Sequence, residues 1–131
     1  MQELSNIFQS ADWKKEKHVP VIEISGKAAK GEEIAVNVTV GKEIAHPNTT
    51  EHHITWIDLY FHAEGSKFPC NLGRFEFNAH GASTDGPNTS TVYTNPTVSA
   101  KFKTEKSGSI FAFSNCNVHG LWMSSREIKL D

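Results

Sequence analysis

Apolar and polar residues alternate along most of the chain. Ile34, Val36, Val38 and Val40 occupy every second position, with Ala35, Asn37 and Thr39 between them, and Gly41 stops the run. Period two is the mark of a strand with one face buried. Ile57, Leu59 and Phe61 repeat the pattern within residues 54–61, which Gly65 turns. Residues 74–77 repeat it again, as do Val98, Ala100 and Phe102, and residues 110–114 form a further strand after the turn at 106–108. Pro20 forbids a helix through residues 19–22, where β-branched residues favour extended chain. Residues 127–130 close the chain with one more extended run. Only residues 1–15, with Leu4, Ile7, Phe8 and Trp13, suit a short helical turn that docks on the body. About seven short strands with a turn signal every ~8–12 residues predict an all-β fold. The expected architecture is an antiparallel, immunoglobulin-like sandwich or barrel, with residues 1–131 as a single domain.

The intervening segments read as loops. Residues 26–31 form a lysine-bearing turn, Pro47 and its small polar neighbours break residues 46–51, and residues 116–122 read as loop. Residues 80–96, rich in Gly, Ser, Thr, Asn and Pro, predict a long surface loop.

Composition narrows the function classes. At 131 residues and 14.5 kDa, the chain is long enough for a real core. A formal charge of −2 and a pI near 6.4 give no basic field for nucleic acid. Apolar runs are too short to span a membrane, and the first residues lack the basic head and apolar stretch of a signal peptide. Cys70 and Cys116 make no disulfide framework, so a reducing cytoplasm is the expected setting. The Asn-x-Ser/Thr triplets at Asn37, Asn48 and Asn88 then read as chance.

The seven histidines matter through their placement. Cys116 and His119 stand on either side of two residues, so one tight turn can aim a thiolate and an imidazole at a common point. His46 and His52 flank a loop between strands, and His18 precedes Val19-Pro20. Loops gather at the ends of a sandwich, where such stretches can converge. His52 and His53 are neighbours at a strand start, so one of them can reach a shared ion, and alternation does not say which. His62 and His80 read as structural or exposed, and Cys70 as a partly buried thiol. Four imidazoles and one thiolate exceed the ligand set of structural zinc, and no carboxylate cluster speaks for calcium or magnesium. Copper and iron remain. The copper reading takes Cys116, His119 and Met123 with His46, the His2CysMet pattern of blue-copper electron carriers, and leaves His18 and His52 unused.

Four blocks carry a resemblance to a known family. They are Glu16-Lys17-His18-Val19-Pro20, Gly41-Lys42-Glu43-Ile44, His46-Pro47-Asn48-Thr49-Thr50-Glu51-His52-His53 and Cys116-Asn117-Val118-His119-Gly120-Leu121-Trp122. In order and spacing they resemble the superoxide reductases of the single-iron, neelaredoxin-type branch within the desulfoferrodoxin superfamily. The resemblance runs over nearly the whole chain, without the cysteine-rich N-terminal module of the two-iron relatives. It implies an immunoglobulin-like barrel, a homotetramer, and one mononuclear iron cycling between Fe2+ and Fe3+. By motif position His18, His46, His52 and His119 are the equatorial ligands and Cys116 the axial one, which leaves His53 a non-ligand. Glu16 takes the sixth position in the ferric state, and Lys17 is the positive residue beside the open face. The implied reaction is one-electron reduction of superoxide to hydrogen peroxide, with an external donor such as rubredoxin restoring the ferrous state. Without the motif, Lys17 beside Lys14 and Lys15 reads as a solvated charge run. Backbone N–H groups around residues 117–119 are expected to hydrogen-bond the sulfur and tune its donation. Ala45 departs from the family, which usually has proline before the first loop histidine.

Overall fold

In the computed structural model the described residues are 3–131, so Met1 and Gln2, the start of the expected helical turn, lie outside them. The chain begins with a single 3-10 turn, Leu4–Asn6. Seven strands follow: β1 (Pro20–Ser25), β2 (Ile34–Val40), β3 (Ile54–Ala63), β4 (Cys70–Glu76), β5 (Thr97–Phe102), β6 (Gly108–Cys116) and β7 (Gly120–Ile128). They form two antiparallel sheets, β1-β2-β5 and β4-β3-β6-β7, as the alternation predicts. Every second residue of β2 is buried, and Val38 lies between Ile22 of β1 and Val98 of β5. From the facing sheet, Ile57, Leu59, Ile110 and Ala112 are fully enclosed. Core positions of this kind carry most of the stability, about 2–5 kcal/mol for each Ile or Leu cut to Ala.

Two readings of the sequence need correction. Residues 116–122 are not a loop: Cys116 ends β6, Gly120 opens β7, and the two pair directly across a three-residue turn. The pattern hides β7 because Ser124 and Arg126 share a face with the buried Trp122 and Ile128. Those polar groups have partners. Ser124 Oγ donates to the Pro20 carbonyl (2.5 Å) and Arg126 Nη1 to the Ile22 carbonyl (3.1 Å). Ser114 Oγ of β6 donates to the His18 carbonyl (3.1 Å) in the same row. β1 is the edge of its sheet, and these three side chains satisfy the backbone groups its neighbour β2 cannot reach. The second correction concerns Cys70, which is exposed. It opens β4, the outer strand of its sheet, near the exposed Phe68.

The N-terminal segment docks on the four-stranded sheet. Gln9 N–H donates to the Leu121 carbonyl (3.0 Å), Met123 N–H returns to the Gln9 carbonyl (2.9 Å), and the Phe8 ring meets Phe113 edge-on. Residues 80–96 form the expected long loop, held by their own short bridges His80–Tyr93 and Ser83–Gly86.

Candidate metal centre

Strand pairing brings the chemistry to one end of the sandwich. The start of β1 lies beside the end of β2, the start of β3 beside the end of β6, and the end of β6 beside the start of β7. His18 precedes β1, His46 and His52 lie between β2 and β3, and Cys116 and His119 bracket the β6–β7 turn. Scattered candidate donors therefore meet because antiparallel strands end together.

One donor atom each from His18, His52, Cys116 and His119 falls within 4.8 Å of all the others. His18 Nε2 stands 3.1 Å from His119 Nδ1, which is 3.2 Å from His52 Nε2. His52 Nε2 is 3.2 Å from Cys116 Sγ. His46 completes the group as a neighbour, its ring centroid 4.8 Å from that of His18 and 4.7 Å from that of His52. His18, His52 and His119 are thus gathered with Cys116, and the His46 ring stands beside them.

Outer hydrogen bonds fix which nitrogen His46 and His18 offer. His46 Nδ1 is bound to the Pro47 carbonyl (2.6 Å), which makes it the N–H and leaves Nε2 with a free lone pair. That Nε2 is buried and has no hydrogen-bond partner. A buried polar atom left unsatisfied costs about 1–3 kcal/mol, and a cation at the focus of the five groups would satisfy it. His18 follows the same logic: Nδ1 faces Glu16 Oε1 at 2.5 Å, so Nε2 is the nitrogen turned to the cluster. The backbone N–H of His119 donates to Cys116 Sγ (3.3 Å), the contact to sulfur expected in the turn. Four imidazole nitrogens and one thiolate, with this orphaned lone pair, fit a transition metal such as copper or iron.

Electrostatics favour neutral rings at His46 and His52. Burial, foremost, pushes the His46 pKa down to about 4, aided by the nearby charges of His18, His52 and Lys17 and opposed by the Pro47 carbonyl. His52 is also lowered, by burial first and then by His119, His18 and Lys17. Neutral imidazoles are the form that binds a metal. Lys17 is half-buried, and its charge reaches both loop histidines. Burial alone would raise the Glu16 carboxyl, but hydrogen bonds from the His18 ring and N–H outweigh it and hold the pKa below the usual value.

The remaining candidates separate cleanly. His53 turns away: its Nδ1 bonds to the Thr49 carbonyl (2.9 Å) and its ring stacks on His80 at 3.5 Å between centroids. His80 is tied to Asn48 Oδ1 (3.0 Å) and the Phe77 carbonyl (2.5 Å), while His62 bonds to the Ser66 carbonyl. Met123, the axial group of the copper reading, points to the opposite face of β7. There it lines an apolar groove with Phe8, Trp56 and Phe113. Two residues of the site escaped the sequence reading. Trp122 stacks flat on His18, centroids 4.9 Å apart and planes 13° off parallel, and Ser114 holds the His18 carbonyl from below. Trp122 lies inside a quoted block, so the signal was present, but only the hidden strand β7 gives the tryptophan its direction.

Comparison with known proteins agrees with this geometry. Residues 10–125 match the desulfoferrodoxin family. The chain is 56% identical over 119 residues to a superoxide reductase of Pyrococcus furiosus, covering 91% of this chain and 94% of that one. It is 53% identical over 127 residues to a neelaredoxin of Megalodesulfovibrio gigas, covering 97% and 98%. The solved structure of a superoxide reductase (neelaredoxin) from Archaeoglobus fulgidus in the reduced form superposes with a TM-score of 0.89 at 64% identity, covering 95% and 99%.

Proposed function

The chain belongs to the desulfoferrodoxin family, and from that premise we propose that residues 1–131 form one iron-binding domain that reduces superoxide. The reaction takes one superoxide anion, one electron and two protons to one hydrogen peroxide. The observation that carries the reading is the convergence of three ring nitrogens and one sulfur, with the orphaned Nε2 of His46 beside them.

His18, His46, His52 and His119 are the nitrogen ligands in this reading, and Cys116 supplies the sulfur. Bound iron would supply the single electron and present a vacant position to the substrate, since five protein donors do not fill six. The protein's part is placement and charge. Neutral imidazoles with one thiolate leave the centre cationic enough to attract an anion. The N–H of His119 on Cys116 Sγ draws charge from the sulfur and so tempers its donation. Lys17 attracts superoxide and holds a proton-bearing water, work for which its reach to His46 and His52 speaks. Glu16 orients the His18 ring through Nδ1, the nitrogen turned away from the cluster; to take the sixth position in the ferric state, its carboxylate would have to leave that contact.

An external one-electron donor, rubredoxin or a similar small protein, and a homotetrameric assembly complete the proposal. The exposed groove of Leu4, Phe8, Trp56, Tyr60, Phe111 and Met123 supports contact between copies. Two free cysteines suit a reducing compartment such as the cytoplasm. Among the described residues no helix is long and apolar enough to cross a membrane.

The test is stoichiometric. Protein grown with iron should hold about one iron per chain and, with a reductant present, yield one peroxide per superoxide without evolving dioxygen. Copper at that occupancy, or dioxygen released alongside peroxide, would refute the assignment.

A further inference from the structure

The loop that carries His46 and His52 has little backbone pairing of its own, yet its tip is held from outside. Thr49 and His52 close one small turn through Thr49 N–H to the His52 carbonyl (2.9 Å) and His52 N–H to Thr49 Oγ1 (3.0 Å). Asn88, 38 and 37 positions downstream, makes most of the side-chain contacts to the two residues inside that turn, Thr50 and Glu51, while Asn117 Nδ2 holds the Glu51 carbonyl (2.9 Å) and the His80 carbonyl accepts from Thr50 Oγ1 (3.3 Å). Asn88 Oδ1 accepts the Thr50 N–H (2.8 Å), Asn88 Nδ2 donates to both carboxylate oxygens of Glu51 (3.2 and 3.0 Å), and Asn88 N–H donates to Thr50 Oγ1 (3.2 Å).

Two features show that the backbone is arranged around this grip. Asn88 is the one non-glycine residue with positive φ among the described residues, at 60°. Asparagine tolerates that left-handed conformation better than most residues, but the conformation still carries strain that surrounding contacts must offset. Opposite it, Gly81 comes so close that a Cβ there would stand 3.2 Å from Asn88 Oδ1 and 3.3 Å from Asn88 Cα. The Gly81 carbonyl also accepts the N–H groups of Thr89 (2.9 Å) and Ser90 (3.0 Å), which fixes the segment just after Asn88.

We propose that Asn88 is a positioning residue of the metal centre: it locks the Thr50-Glu51 tip so that His52 Nε2 is presented to Cys116 Sγ and His119 Nδ1. This rests on the reading of His52 as a ligand. The long loop at 80–96 is then part of the site's scaffold, although none of its residues belongs to the ligand set.

The probe is Co2+ bound to the full-length protein, followed by its visible thiolate and ligand-field bands and by its loss to an excess of chelator. Asn88→Gly keeps the positive φ without strain and removes only the amide. Co2+ should leave this variant roughly 10–100-fold faster than wild type, the range for loss of an outer-shell partner, with shifted bands. Asn88→Asp sets a second carboxylate against Glu51 and should behave alike, whereas adding Glu51→Gln restores a donor–acceptor pair and should recover most of the loss. Ser83→Ala loosens the same loop at a contact with Asp85 and Thr89 that does not touch residues 46–53, and should release Co2+ at the wild-type rate. The role of Asn88 is overturned if Asn88→Gly matches wild type, if Ser83→Ala reproduces its effect, or if Glu51→Gln fails to rescue. Wild-type protein that takes up no Co2+ overturns the reading of the site along with it.

Discussion

The candidate metal centre is built from two halves that reach the same point by different means. Cys116 and His119 belong to the β6–β7 hairpin, where the paired ends of two strands and one N–H···S contact set their spacing. His46 and His52 belong to an irregular segment whose geometry comes from side chains: the Pro47 carbonyl on His46, the Thr49 turn before His52, and Asn88 at the tip. Sheet backbone gives the sulfur a rigid seat, because the ladder tolerates no slip without exposing the core. The loop gives the imidazoles accurate placement only while a set of individually weak bonds holds. His18 lies between these cases. It leads into β1, Ser114 holds its carbonyl, and its ring is fixed between Trp122 and Glu16.

The largest effect should come from the hairpin half. Cys116→Ser removes the only thiolate of the group and should abolish the visible colour of the oxidised iron protein and its superoxide reduction together, while a core of buried Ile and Val keeps the chain folded. Absorption spectra and far-UV circular dichroism on the same sample check this. Retained colour would remove Cys116 from the ligand set.

Acid should expose the loop half in the metal-free chain. In the unfolded state His46 takes a proton near pH 6.5, but in the folded state only near 4. Between those values the unfolded state holds more protons, so this contribution to stability is whole above pH 6.5 and is lost as pH falls toward 4. The full difference is on the order of 3 kcal/mol, by the usual conversion of a pKa shift into free energy. Urea midpoints of metal-free protein at pH 7 and pH 4.5 should reveal it, and His46→Gln should flatten the slope. An unchanged slope would mean that His46 is not the group responsible.

Two glycines sharpen the contrast further. Gly41 (φ +84°) ends β2, and a Cβ there would stand 2.6 Å from the backbone nitrogen of His46. Gly120 (φ +78°) opens β7 with nothing within 4 Å of the same position. Both alanine variants carry the left-handed penalty of about 1–2 kcal/mol, but Gly41→Ala must also displace the ligand loop. Gly41→Ala should therefore unfold at lower temperature and also weaken Co2+ binding, whereas Gly120→Ala should lower the melting temperature alone. Equal metal affinities in the two variants would erase the distinction between loop and hairpin.

What the sequence showed and what it hid follow the same division. Six strands were legible because their buried positions are apolar, as with Ile34 to Val40 or Ile57 to Phe61. β7 was hidden because Ser124 and Arg126 face inward to serve the carbonyls of β1, so polar residues stand where alternation demands apolar ones. The ligand set came from four motif blocks, not from periodicity, which could not choose between His52 and His53; the stacking of His53 on His80 supplies the reason. Asn88 was invisible for a further cause. It lies in a stretch rich in turn residues, where composition says loop and nothing more, and its partners are 37 and 38 positions away.

The smallest effect expected is at Lys17, a test of charge and not of either half's geometry. Lys17 is half-buried, and its charge bears on His46 and His52. A positive group beside an anion's entry raises the encounter rate through its field, and that gain shrinks as salt screens it over about 10 Å at 0.1 M. Lys17→Ala should slow the second-order reaction with superoxide by about 10-fold at low salt, within the range for electrostatic steering, and flatten its dependence on ionic strength. The colour of the oxidised protein should stay, because no ligand is touched. Lys17→Arg keeps the charge and should keep the salt dependence. Stopped-flow or pulse-radiolysis rates at several ionic strengths separate the outcomes: a rate unchanged at low salt would leave Lys17 no steering role, while a loss that salt does not modulate would move its part from attraction to proton supply.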